Sequence, residues 1–287
     1  MIGIILAAGT GTRLMPITKC LNKHLIPVYN KPMIYYPLSI LMLCGIREII
    51  IICDKFNKKN FFKILQDGKN LGIKISYTVQ KKPNGIPECF LLCKNKIKNK
   101  KVALILGDNL FYGQGIIQIL LNEIKRLNGS FCFGYNVSNP KQYAVIELLN
   151  NRIKNIVEKP NKIKSHLAIP GFYLFDENVH KFSKKLKKSK RNELEIVDLL
   201  KIYLKIKKLN FKLLPRGISW LDMGSFNDLI SATNFVKTIE DRQNLKVGCP
   251  EEIAWRNNWI TKKKLLHLGK NYKNEYGKYL KEITKDN

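Results

Sequence analysis

The 287-residue chain is 45% hydrophobic and 25% charged, with a formal net charge of +29. That apolar content fills the core of one large α/β domain or two modest ones; no run approaches the ~18 apolar residues of a membrane span, and no basic leader precedes the first apolar stretch, so neither a spanning helix nor a signal peptide is expected. The densest cationic runs, Lys184 to Arg191 and Lys262-Lys263-Lys264, lack interleaved stacking aromatics, which favours solvated surface over a dedicated nucleic-acid face.

Ile2 to Leu6 is a short apolar run ending in small residues, a buried strand that delivers a loop to the edge of a parallel sheet. The loop, Ala7-Ala8-Gly9-Thr10-Gly11-Thr12-Arg13-Leu14, suits a phosphate: small side chains open backbone N–H groups to an anion, and Arg13 adds a forked cationic donor. It matches neither the dinucleotide fingerprint nor the Walker A pattern, so a plain glycine-rich turn stands beside the phosphate reading. Pro27 and Pro32 forbid a long helix after it. Met33 to Cys44 reads as a helix stopped by Gly45, Arg47 to Cys53 as a strand buried on both faces, Asn57 to Gln66 as a helix and Ile73 to Val79 as a strand. Pro87 to Lys96 then reads as a helix and Lys101 to Leu106 as a strand. This alternation predicts an α/β fold with a doubly wound, mostly parallel Rossmann-like sheet. From Gly129 onward, closely spaced strands at Ser130 to Val137, Tyr143 to Leu149, Arg152 to Val157 and Ile169 to Phe175 predict antiparallel additions. Leu194 to Leu204 and Phe226 to Arg242 read as helices. With no repeat or linker, residues 1–241 are expected to form one catalytic domain, and 242–287 a helical C-terminal appendage packed on it.

Asp108 stands just past a strand end, where open α/β sheets bind ligands, and a carboxylate there suits a hard cation such as Mg²⁺ beside substrate phosphates. Asp222 is the second candidate ligand, although an aspartate shortly before Gly224 fits an ordinary turn or cap equally well. Lys159, in Glu158-Lys159-Pro160, could neutralise a second phosphate or lie in an ordinary loop. Gln80 and Gly85 offer an amide and a bare backbone to a base edge, or mark a hairpin turn. The four histidines lack metal-ligand spacing and no nucleophile elbow is present, so covalent catalysis is not expected. Seven cysteines, odd in number and without a CxxC pair, fit reduced, buried thiols in the cytoplasm.

Taken together, Gly9 to Leu14, Pro27 to Ser39, Gly107 to Gly115, Glu158-Lys159-Pro160, Glu193 to Ile196, Trp220-Leu221-Asp222 and Glu251 to Trp259 resemble the glucose-1-phosphate thymidylyltransferases, the short tetrameric branch of the sugar-nucleotidyltransferase family. The resemblance implies a nucleotide cradle from Leu6, Gly9, Gly11, Thr12, Arg13 and Asp108, with base reading by Gln80 and Gly85. It also implies a sugar-phosphate subsite from Tyr143, Ala144, Glu158, Lys159, Gly171 and Trp220, and Mg²⁺ held by Asp108 and Asp222. Arg13, Lys23 and Lys159 would neutralise charge during in-line attack of glucose 1-phosphate on dTTP, which yields dTDP-glucose and pyrophosphate for dTDP-rhamnose and deoxysugar synthesis. A cytoplasmic homotetramer with a regulatory dTDP-sugar site around Glu251 to Trp259, and no specific nucleic-acid or membrane partner, completes what it implies.

Some positions depart from the family pattern. Ala8 replaces a glycine and is expected to crowd the loop by one methyl, and Ala144 adds a methyl near the sugar. Pro87 removes a donor at a helix start, Glu88 places a negative charge near the base, and Met223 replaces a threonine. Two alternatives therefore stay open: UTP or another sugar 1-phosphate as substrate, or a catalytically weakened homologue with a structural or regulatory role.

Overall fold

The first apolar run becomes an inner strand of the parallel part of the sheet in the computed structural model, which describes residues 1–285. Its elements run β1 (Ile2–Leu6), β2 (Pro27–Val28), β3 (Lys31–Pro32), α1 (Tyr35–Leu43), β4 (Glu48–Cys53), α2 (Lys58–Leu65), β5 (Lys74–Val79), α3 (Glu88–Leu92), α4 (Lys94–Ile97) and β6 (Val102–Leu106). Next come β7 (Asn109–Tyr112), α5 (Ile116–Arg126), β8 (Ser130–Asn136), β9 (Ala144–Leu149), β10 (Arg152–Glu158), β11 (Leu167–Ala168), β12 (Phe172–Phe175) and α6 (Val179–Ser183). The chain ends with α7 (Ile196–Lys205), β13 (Leu209–Leu213), β14 (Ser219–Asp222), α8 (Phe226–Gln243), α9 (Pro250–Arg256), α10 (Lys262–Lys270) and α11 (Glu275–Glu282). Residues 286–287, the end of the expected appendage, lie outside the described residues.

The ten-stranded sheet has the order β10-β9-β11-β8-β12-β6-β1-β4-β5, with β13 beside β8. β6, β1, β4 and β5 are mutually parallel, and β12 turns the sheet antiparallel beyond β6. Alternate residues of the parallel strands enter opposite cores, because successive side chains point to opposite faces. Ile5, Ile49, Ile51 and Ile105 pack with α1 and α5, whereas Ile4, Ile50, Ile52 and Leu104 pack with α3 and α7. The chain leaves β1 toward β4 on one side and returns to β6 on the other, so a crevice opens beyond the carboxyl ends of β1 and β6.

Some elements differ from expectation. The helix expected at Pro87 to Lys96 is broken at Cys93 (φ −99°, ψ 9°) into α3 and α4. α5, β7 and β14 were not expected; glycines at 113 and 115 mask the start of α5, and β7 and β14 are short strands that find partners only in each other. β13 runs parallel to β8 inside the otherwise antiparallel half. All seven cysteines are free and six are buried, as expected. Among the described residues no helix is long and apolar enough to cross a membrane.

Beyond α8 the chain is tied back by charge. The Lys31 ammonium donates to Glu240 Oε1 at 2.6 Å and Lys246 to Oε2 at 2.8 Å, with the Lys31 and Glu240 side chains almost fully buried. Asn30 Nδ2 and the Val247 N–H complete the shell of Glu240. Burial works against both charges, and the lysines outweigh it to hold Glu240 below the usual carboxylate range. Removing one partner of a buried pair strands the other, so Lys31→Met is expected to destabilise the protein by about 3–5 kcal/mol, read as a lower urea midpoint with an unchanged m-value.

Candidate active site

The loop after β1 is shaped by its floor. Thr18 Oγ1 donates to the Gly11 carbonyl at 2.9 Å, and Gly11 adopts φ 63° where a Cβ would come within 2.9 Å of Thr18 Cγ2 and 3.1 Å of Lys23 Cβ. Only glycine fits that turn. Asn22 Nδ2 donates to the Ala7 carbonyl at 3.3 Å and to Asp54 Oδ2 at 3.2 Å, and Asn22 Oδ1 accepts the His24 N–H. His24 is buried beneath the loop, where a Cβ on Gly107 would reach 2.6 Å from its ring. Burial, with Lys23 adjacent, pushes its imidazole down to about 3, so it is a neutral spacer. Ala8 corrects an expectation: its side chain packs into the core with Ile4 and Phe90 and leaves the exposed Gly9 to face the cleft.

The second wall carries the carboxylates. Register pairs Asn109 of β7 with Asp222 of β14, and the Met223 N–H donates to the Asp108 carbonyl at 3.0 Å, which sets both aspartates on one surface. The Lys23 ammonium pairs with Asp108. Burial disfavours the Asp108 charge, but Lys23 overcomes this and holds the carboxyl well below its usual range. Asp222 is pushed up to about 7, first by burial and then by the Asp108 charge. Buried Asn109 organises this wall: its Oδ1 accepts the Trp220 indole N–H at 2.6 Å and the Gly171 N–H at 3.0 Å, while its Nδ2 donates to Asp108 Oδ1 at 2.9 Å. Trp220 meets Tyr143 edge-on at 5.1 Å. Met223 is fully buried in a separate core and does not face the cleft.

Across the cleft, Arg191 is the hub. Its guanidinium grips Glu195 through Nε at 3.1 Å and Nη2 at 2.6 Å, and Nη2 also reaches Glu158 Oε1 at 3.2 Å. The Arg191 side chain remains about 40% exposed, within the solvated run expected there. Lys159 follows Glu158 in a left-handed turn (φ 43°), its N–H bonded to the Tyr143 carbonyl. Gln80 is buried and donates to Glu88, and a Cβ on Gly85 (φ 100°) would lie 2.0 Å from the Leu194 carbonyl.

These residues line two confluent cavities of about 230 and 190 Å³ that share Ile86, Glu158, Lys159 and Ile196. The first gathers Leu6, Gly9, Gln80 and Gly85; the second gathers Arg13, Asp108, Tyr143, Ala144, Gly171, Trp220 and Asp222. Gly11 and Thr12 lie outside both linings, and Lys23 reaches the site through Asp108. Among the described residues no group of three or more His, Cys, Asp or Glu could hold a metal; Asp108 and Asp222 are two carboxylates on the lining of one cavity. Asn109, His24 and Arg191 escaped sequence reading; only the Asp-Asn dipeptide and the nearby Glu193-Leu194-Glu195 hinted at two of them.

A glycine-bearing loop and two aspartates lining one cavity at the switch point of an α/β sheet are features of a nucleotide-handling enzyme, and the chain belongs to the nucleotidyl transferase family, whose pattern matches residues 2–239. It is 46% identical to the glucose-1-phosphate thymidylyltransferase of Neisseria meningitidis over 99% of this chain and all of that one. It is 44% identical to the enzyme of that name from Mycobacterium tuberculosis over the full length of both. A solved Bacillus anthracis structure described as a glucose-1-phosphate thymidylyltransferase, in complex with sucrose, superposes with a TM-score of 0.76 at 37% identity, covering 82% of this chain and 95% of that one.

Because the Asp222 pKa is raised in the fold and ordinary in the unfolded chain, its contribution is full at low pH and is lost as pH rises from about 4 through about 7. Asp222→Asn is therefore expected to raise the Tm of the ligand-free protein by about 5 °C or more at pH 8, and by much less at pH 5, in calorimetric scans at both values.

Proposed function

We propose that the protein transfers the thymidylyl group of dTTP to glucose 1-phosphate, giving dTDP-glucose and pyrophosphate. The observation that carries the reading is the meeting of Asp108, Asp222 and Lys23 beside the loop after β1, in a chain 44–46% identical over its length to enzymes of that name. A phosphate oxygen of the sugar ester forms the new bond to the α-phosphorus of dTTP while the bond to the β-phosphate oxygen breaks. The attacking phosphate is already ionised, so positioning and charge neutralisation supply the rate rather than a general base.

Leu6, Gly9, Gly11, Thr12 and Arg13 would cradle the nucleotide, with Gln80 and Gly85 on its base. Tyr143, Ala144, Glu158, Lys159, Gly171 and Trp220 would hold the sugar phosphate. Arg13, Lys23 and Lys159 would offset the growing negative charge. Asp108 and Asp222 fit Mg²⁺: both offer hard oxygens, an ammonium already occupies one of them, and burial and the Asp108 charge oppose ionisation of the second, which a cation would offset. When bound there, the ion would neutralise triphosphate oxygens.

In this reading the enzyme is cytoplasmic and homotetrameric, with 1–241 catalytic and 242–287 an appendage, and it takes no specific nucleic-acid or membrane partner. The appendage helps wall a separate cavity of about 600 Å³ lined by Tyr36, Tyr112, Lys246, Glu252 and Arg256, which would take the regulatory dTDP-sugar. UTP as the nucleotide is a second reading, favoured by a fold match of TM-score 0.73 at 26% identity to a UDP-glucose pyrophosphorylase complexed with UDP-glucose, covering 83% of this chain and 98% of that one.

Purified protein given dTTP, glucose 1-phosphate and Mg²⁺ is expected to release pyrophosphate only when all three are present. Asp108→Asn or Asp222→Asn is expected to cost at least about 100-fold in kcat. Absence of release from the wild-type protein overturns the proposal, and preferential use of UTP in the same assay selects the second reading.

A further inference from the structure

Asp54 lines neither cavity and has no place in the chemistry described above, yet its carboxylate ends a line of hydrogen bonds that reaches Lys23. It stands one residue past β4, the parallel neighbour of β1, and is pinned from within its own loop: the Asn57 N–H donates to Oδ1 at 2.9 Å and Asn57 Nδ2 to Oδ2 at 2.9 Å. Asn22 Nδ2 donates to the same Oδ2 at 3.2 Å and to the Ala7 carbonyl at 3.3 Å, while Asn22 Oδ1 accepts the His24 N–H at 2.9 Å and lies 2.8 Å from His24 Nδ1. A carboxylate and a carbonyl only accept, so the NH₂ end of Asn22 is committed to them, its oxygen faces His24, and His24 Nδ1 carries the ring proton. One buried amide thereby ties together the end of β4, the first residue of the loop after β1 and the short turn Lys23–Leu25.

Lys23 is held on both sides by this arrangement. Its neighbours Asn22 and His24 are 6% and 2% exposed, and its stem lies along Gly11, where an added Cβ would come within 3.5 Å of Lys23 Cδ. A shift of the Lys23 backbone is therefore opposed by the Asn22 contacts. We propose that Asp54 is a positioning residue for Lys23, which anchors Asn22 and through it sets where the ammonium meets Asp108 and the triphosphate. The proposal rests on the nucleotidyl-transfer reading and deepens it. A charged acceptor makes the stronger hydrogen bond, and the Asn57 contacts keep this one from following Asn22 outward. Because Lys23 offsets charge that grows during the transfer, a displaced ammonium costs rate at the triphosphate and leaves the sugar subsite alone.

The experiment is a double-mutant cycle over wild-type protein, Asp54→Ala, Asn22→Ala and the combined variant, with Asp54→Asn as the conservative change. Pyrophosphate release with glucose 1-phosphate and Mg²⁺ gives kcat and KM, calorimetric titration with dTTP gives Kd, and a urea midpoint confirms that each protein is folded. Asp54→Ala and Asn22→Ala are each expected to lower kcat/KM for dTTP about tenfold, with the KM of glucose 1-phosphate within about twofold of wild type. The combined variant is expected to lie within about twofold of the weaker single one, since both changes cut the same path, and the Kd for dTTP to rise in the same pattern. Asp54→Asn keeps an oxygen for the Asn22 amide and is expected to recover to within about threefold of wild type. Kinetics for Asp54→Ala within about twofold of wild type, with or without a lower urea midpoint, overturn the proposal and leave the residue a brace for its own loop. Losses that multiply in the combined variant overturn it too, as does an equal loss in Asp54→Ala and Asp54→Asn. Should Asn22→Ala not fold, the comparison of Asp54→Ala with Asp54→Asn decides alone. Wild-type protein that binds dTTP without releasing pyrophosphate defeats the transfer reading instead, and the Kd values across the cycle still decide the role of Asp54.

Discussion

The repulsion between Asp108 and Asp222 is the constraint to which the rest of the cleft answers. Two carboxylates on one partly covered wall cannot both ionise cheaply, and the fold holds them there through the β7–β14 ladder and the Asn109 hydrogen bonds. Lys23 settles one of the charges and leaves the other unsatisfied. The strain is local, and the folded state carries it because the parallel core beneath is fully apolar and buried on both faces. A ligand that brings positive charge to this wall relieves it, so part of the binding energy is stored in the empty protein.

The opposite wall is arranged by direction rather than by charge alone. Arg191 collects Glu158 and Glu195, fixing a short segment against α7, and the Leu194 backbone of that segment seals the turn at Gly85. Asn84 accepts the Leu194 N–H through its carbonyl, so the turn and the clamp form one unit. The position of Gly85 follows from this closeness, because any Cβ would enter the neighbouring main chain.

The parallel half of the fold was legible because burial on both faces writes itself as unbroken β-branched runs, as in Glu48–Cys53. Asp108 was legible because it follows such a strand directly. Asp222 was ambiguous, since its strand has only four residues and its partner is distant in sequence. Arg191 was passed over because a lysine-rich run looks solvated whichever of its members also meets a carboxylate. Asn109 and His24 were passed over for a related reason: a polar side chain buried for its hydrogen bonds leaves no periodic trace, and its partners are found only in three dimensions. Ala8 was expected to crowd the loop by one methyl and instead fills the core, because the direction of a single methyl is set by the turn and not by the residue type.

The late arrival of β14 bears on how the molecule is made. During synthesis the loop after β1, Lys23 and Asp108 can all be in place around the parallel strands while the segment carrying Asp222 is still unborn. A nascent or truncated polypeptide therefore holds a neutralised aspartate and no electrostatic conflict. The ribosome delivers the discord only after every strand of the parallel part has been made.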